Sequence, residues 1–162
     1  MELDKEPAEA LLAATETKQF GRAPRAVVDA AASLLDGAAP DFAFPEASSE
    51  DGQVVWRLAM LQGGLFHWVE AARKGTMWSF ERGYNGEEDA TTLTAWARPL
   101  SRISEVRVGQ IHRHDDRVTG TWRWAAGYEI EFDDGKLIEF SVFSSRDGEP
   151  FVAEVLRRMR GE

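Results

Sequence analysis

From Gln53 onward apolar residues alternate with polar ones, and turn formers recur at intervals of about eight to twelve residues. This limits the fold more than any other feature, because a two-residue period sends successive side chains to opposite faces of a strand. Only a sheet with a buried face satisfies such a chain. Candidate strands fall at 53–60, 65–72, 76–82, 91–98, 104–113, 117–124, 128–132 and 136–143. A helix at about 148–160 closes the chain. Phe151, Val152, Val155, Leu156 and Met159 form its apolar stripe, Arg157, Arg158 and Arg160 complement the dipole at its end, and Gly161 follows. That stripe has to cover apolar sheet surface, such as one opening of the sheet.

The first forty residues have a different period. Ala8, Leu11 and Leu12, then Val27, Ala31, Leu34 and Leu35, recur at three- and four-residue spacings, with Pro7 and Pro24 suited to first turns and Gly37 to a stop. The spacing predicts an N-terminal helical segment over 1–37, an acidic loop over 38–52 and a β domain with its closing helix over 53–162. The class is α+β: a strongly bent antiparallel sheet or open barrel closed by a C-terminal helix.

Turn chemistry suggests a register for the central meander. Ala125-Ala126-Gly127 as a three-residue loop pairs Trp124 with Tyr128, Trp122 with Ile130 and Gly120 with Phe132, all facing inward. Asp133-Asp134-Gly135 fits a type I turn with a left-handed glycine, placing Ile138 beside Ile130 and Phe140 beside Tyr128. A two-residue turn at Asp115-Asp116 sets Ile111 opposite Gly120. Val108 then meets Trp122, and Val106 meets Trp124, only if one extra residue forms a β-bulge at Gly109 or Gln110. The outward row becomes Arg107 opposite Arg123, then Glu129 and Glu139.

Composition narrows the chemistry. The net charge of -9 repels phosphate backbones and anionic membranes, and the absence of cysteine excludes disulfides, thiolate metal sites and Cys nucleophiles. The acidic start Met1-Glu-Leu-Asp-Lys-Glu lacks the order of a secretory signal, and no run reaches membrane-spanning length, so a cytoplasmic protein is expected. Residues 98–126 reverse the sign, with six Arg against three acids. Arg98, Arg102, Arg107, Arg117 and Arg123 thus form a candidate basic face for an acidic partner, although such a row is first of all a solvated ladder. Trp96, alternating with Leu93, Ala95 and Ala97, is placed facing outward beside Arg98 as a contact anchor, unless the N-terminal helices cover it.

Catalytic signals are sparse. His112 and His114 share one strand face at the spacing of paired metal ligands, but a hairpin tip supplies no rigid third ligand, so no metal or cofactor is expected. His67, inside Leu65-Phe66-His67-Trp68-Val69, reads as a hydrogen-bonded structural histidine. The acidic clusters Glu87-Glu88-Asp89, Asp115-Asp116 and Asp133-Asp134 sit in predicted turns, where carboxylates point into water. Ser144-Ser145 has no neighbouring His to activate it, and no phosphate-binding loop, nucleophile elbow or H-E-x-x-H is present.

The run Trp96-Ala-Arg-Pro-Leu-Ser-Arg-Ile-Ser-Glu-Val106, the meander ending Tyr128-Glu-Ile-Glu-Phe-Asp-Asp-Gly135 and the terminal amphipathic helix together resemble bacterial PH-like domains over residues 52–160. The resemblance implies a bent seven-stranded sheet capped by the helix, serving to bind peptides, proteins or lipids without catalysis. Eight candidate strands exceed that count by one. Phosphoinositide-binding members carry basic residues around the first hairpin, which here is Leu61-Gln-Gly-Gly64, so lipid headgroup binding does not carry over. The closing helix also lacks the Trp common in the family. The expected function is a non-enzymatic protein-binding or adaptor module without nucleic acid or membrane insertion. The alternative is a small-ligand-binding β-barrel or small enzyme with its site at the barrel mouth.

Overall fold

The computed structural model describes residues 5–80, 90–116, 121–140 and 145–162. The chain divides after Arg98 into two compact units, Met1–Arg98 and Pro99–Glu162. This boundary falls inside the stretch expected to form one β domain. The strands make two antiparallel sheets, one of four strands and one of three, and neither closes into a barrel among the described residues.

The first unit contains α1 (Lys5–Ala14), α2 (Arg25–Leu34), β1 (Phe42–Glu50), β2 (Gln53–Gln62), β3 (Leu65–Lys74) and β4 (Thr92–Pro99), with the strands in sheet order β1-β2-β3-β4. Pro24, with φ −63°, enters α2 at the angle a helix needs, and Val27, Val28, Ala31 and Ala32 bury one stripe of it. Asp36 and Gly37 then turn left-handed, and the Gly37 amide donates to the Ala32 carbonyl at 3.0 Å. The helices supply Leu11, Val27, Ala31 and Leu35 to a core completed by Val54, Trp56, Leu58, Met60, Val69 and Ala71 of the sheet. At its centre the Trp56 ring meets Phe20 edge-on at 6.3 Å and its Nε1 donates to the Trp78 carbonyl at 2.8 Å.

Two expectations fail in this unit. The acidic stretch 38–52 is not a loop, because residues 42–50 form the edge strand β1, joined to β2 by Asp51 and Gly52, both left-handed at φ 48° and 75°. That is the two-residue hairpin geometry an Asp-Gly pair favours, and Pro45 is tolerated because the strand lies at an edge. Residues 76–80 are not a strand. They form a bend followed by irregular backbone whose Trp78 and Ser79 are buried, while 81 and 82 lie outside the described residues.

The second unit contains a 3-10 turn at Leu100–Arg102, β5 (Ile103–Asp116), β6 (Thr121–Phe132), β7 (Leu137–Phe140) and α3 (Ser145–Met159), in sheet order β5-β6-β7. Ile130, Phe132, Ile138 and Phe140 are buried together with Phe151, Val152 and Val155 of α3, and Phe140 meets Phe151 at 5.9 Å. The closing helix thus covers the sheet by the stripe its sequence shows. The turn at Asp133-Asp134-Gly135 forms as expected, with Ile138 opposite Ile130 and Phe140 opposite Tyr128.

The expected loop at Ala125-Ala126-Gly127 does not form. These small residues sit within one continuous β6, paired with Gln110, Ile111 and His112. In consequence Val106 faces Ile130, Val108 faces Tyr128, and Arg107 lies opposite Glu129 rather than Arg123. Trp122 and Trp124 fall opposite Asp115 and Arg113, and their side chains, like Gly120, lie outside the described residues. The bulge at Gly109 is present, because the register shifts between Val108 and Gln110.

Candidate contact surfaces

The proposed anchor on β4 is held from below. The Trp96 ring stacks on the buried Phe66 of β3 at 6.0 Å, and the Arg98 guanidinium lies over the Trp96 ring at 4.5 Å. Two-residue spacing on a strand puts both side chains on one face, and the cation completes a three-layer stack. Both residues are half-buried, whereas Leu93, Ala95 and Ala97 between and before them are exposed. The expected parity was therefore inverted: the tryptophan faces toward the protein and the small apolar residues face water. The helices do not cover Trp96, since their core takes the opposite face of β2, the one bearing Trp56 and Leu58.

Of the remaining candidate arginines, the two with described side chains, Arg102 and Arg107, are each held by carboxylates. Arg102 clamps the β6–β7 turn, with Nε 2.9 Å and Nη2 2.7 Å from Asp133 Oδ1, while the Asp133 amide donates to the Arg102 carbonyl. The Asp133 carboxylate raises the Arg102 pKa further above its ordinary value. On β5, Arg107 donates through Nε to Glu129 and through Nη1 to Glu105 at 2.8 Å and Glu131 at 3.1 Å. These partners raise its pKa, the hydrogen bond it donates to Glu129 foremost. With Glu139 directly opposite Glu129, this row carries four carboxylates to one guanidinium, so it is acidic where a basic face was expected. Arg117 lies outside the described residues, and Arg123 occupies a β6 position opposite His114 whose side chain is not described.

A second arginine cage has no counterpart in the candidate sites. Glu46, Arg57 and Glu70 lie directly opposite one another across β1, β2 and β3. Arg57 donates to Glu70 at 3.0 Å and to both carboxylate oxygens of Glu50 at 3.0 and 3.3 Å. Burial works to lower the Arg57 pKa, and the bonds it donates to Glu50 and Glu70 together outweigh it, leaving the guanidinium more basic than usual. The sequence carries the signal as opposite charges on neighbouring strands, but the row is complete only when residues 42–50 form a strand.

His67 departs from its expected role. It is 1% exposed, and among the described residues neither ring nitrogen finds the hydrogen-bond partner its apolar surroundings suggested. Burial lowers its pKa below 6.5, keeping the ring neutral. His112 and His114 occupy β5 positions opposite Ala125 and Arg123, their side chains outside the described residues, and no cluster of potential metal ligands occurs among the described residues. Of the acidic clusters, Glu87-Glu88-Asp89 lies outside the described residues. Asp115-Asp116 ends β5 without a described side chain, and Asp133-Asp134 serves the β6–β7 turn, where Asp134 accepts from the Lys136 amide at 3.2 Å. No described helix is long and apolar enough to cross a membrane. Comparison with family models, with curated proteins and with solved structures finds no match.

Proposed function

We propose that the chain is a non-enzymatic protein-binding module on a PH-like scaffold. Four strands followed by three in meander order, closed by an amphipathic helix, support the scaffold. The observation that carries the binding role is the outer strand β4, where Arg98 is stacked over Trp96 on one face and Leu93, half exposed at 50%, stands on the other. Tryptophan and arginine held rigidly at a sheet edge lose little side-chain freedom on association, which is what makes such pairs strong anchors. The partner is a protein that reaches this edge.

The test is affinity capture from native lysate by the full chain and by a Leu93→Lys, Arg98→Glu variant, with Trp96 left in place because it packs on Phe66. Partners held by the wild type are lost by the variant. Recovery of the same partners in equal amounts by both chains removes β4 as the contact edge.

A further inference from the structure

Strand β5 is the outer strand of its sheet, and among the described residues no strand pairs with its free edge. It runs for 14 residues, whereas β7 at the other side runs for four. A long edge offers a row of main-chain donors and acceptors to any extended chain. Its side chains differ sharply between the two faces. On the face shared with Ile130 and Phe132, Val108 is 51% and Ile111 63% exposed, the two most exposed large apolar residues described. On the other face Glu105, Glu129, Glu131 and Glu139 outnumber Arg107, which three of them already engage.

We propose that the outer edge of β5 receives an extended segment of a partner protein in which apolar residues alternate with lysine or arginine. The main chain of the segment pairs with β5. Its apolar side chains cover Val108 and Ile111, and its cations meet Glu105 and the carboxylate surplus behind it. A second copy of this chain fits poorly, because two such rows would set acid against acid and the register shift at Gly109 interrupts regular pairing. This assignment rests on the protein-binding reading and names the chemistry of the partner.

The test is fluorescence anisotropy of the full chain with three labelled peptides: one alternating Val and Lys, one alternating Val and Glu, and the Val/Lys peptide with alternate amides N-methylated. The Val/Lys peptide binds, more tightly at low salt. Its affinity falls about tenfold or more with the Val/Glu peptide, with N-methylation, and with a Val108→Thr, Ile111→Thr chain. Glu105→Lys shifts the preference toward the Val/Glu peptide. Equal binding of the methylated peptide shows charge attraction alone and overturns the proposal, as does absence of binding by the Val/Lys peptide. A dimer in sedimentation that the double threonine variant dissolves would make the occupant a second copy, which also overturns it. Unchanged affinity of the threonine variant for the Val/Lys peptide defeats the β5 site and leaves the β4 reading standing, whereas equal lysate capture by the wild type and the β4 variant defeats the β4 reading alone.

Discussion

In the first unit the row Glu46–Arg57–Glu70 sets an arginine on an inner strand between two acids, and its side chain is 24% exposed. In the second the row Arg107–Glu129–Glu139 sets it on an outer strand beside two acids in succession, 39% exposed. The ingredients are alike, but the consequences differ. A guanidinium shielded from water depends on its carboxylates to offset lost hydration, whereas an exposed one exchanges them for water at little cost. The first unit uses its charge row to hold three strands together. The second leaves a surplus of negative charge along an outer strand with no partner strand among the described residues, the edge to which the proposed segment would add.

The largest effect that tests this contrast is in the first unit's core. Trp56→Ala removes a fully buried ring, its edge contact with Phe20 and its hydrogen bond to the Trp78 carbonyl, and lowers stability by about 3–5 kcal/mol. Urea unfolding followed by circular dichroism measures it. Val108→Ala on the exposed edge leaves the midpoint nearly where it was. Equal shifts for the two substitutions would break the distinction between a packed unit and an open edge.

Acid separates the units next. The unfolded chain binds a proton at His67 near the ordinary pKa of 6.5, while burial holds the folded value lower. Stability conferred by the neutral ring is therefore complete above that pH and is lost as pH falls below it, by up to about 1.4 kcal/mol per pH unit. His67→Leu flattens this slope below about pH 6.5. The carboxylates act later. Glu154 is held at about 2 by Arg157 and Arg158, so the stability it confers persists above 4.5 and fades as pH falls from there toward 2. A slope unchanged by His67→Leu would place the sensitive group elsewhere.

How much of this was legible follows from which interactions are local. The closing helix and the Asp133-Asp134-Gly135 turn are written in short-range patterns and form, whereas the bulge at Gly109 appears although the pairing it was expected to serve, Val108 with Trp122, does not. Ala125-Ala126-Gly127 deceived because small residues allow a turn without requiring one, and the pairing of β5 across the whole of β6 is a long-range choice that no short segment encodes. Strand β1 hid for the opposite reason. Phe42-Ala-Phe-Pro-Glu-Ala-Ser-Ser-Glu50 looks like a loop because an outer strand is free to be polar and to contain proline, although Asp51-Gly52 announced its hairpin. The basic face expected of the candidate arginines depended on the register, which sets Arg107 opposite Glu129 and not Arg123.

The charge rows themselves give a smaller effect. Arg57→Ala takes the arginine donor from Glu70 and leaves Glu50 with Ser48, and because both carboxylates still reach water the cost in urea unfolding is about 1 kcal/mol. Arg107→Ala removes the more exposed guanidinium of the two and moves the midpoint less, though it increases the attraction for the Val/Lys peptide by removing the one described cation of its row. If Arg107→Ala proved the more damaging of the two, burial would not be what distinguishes the cages.

The smallest effect comes from Gly109→Ala. No left-handed backbone is involved there, so the only objection is space: a Cβ at this position would run into the Glu129 carboxylate. That group is the end of a flexible side chain, and it turns aside at the expense of its bond to Arg107 Nε, while Glu105 and Glu131 keep the guanidinium in place. Alanine also restricts the unfolded chain, a gain of about 0.4–1 kcal/mol that offsets the lost contact. The net change in the urea midpoint is therefore close to zero, and the sensitive readout is the Arg107 Hε resonance, which moves as its first acceptor leaves. A destabilisation as large as that of Trp56→Ala would mean that the glycine is packed inside the sheet. The shift in register would then belong to the core of the second unit and not to its open edge.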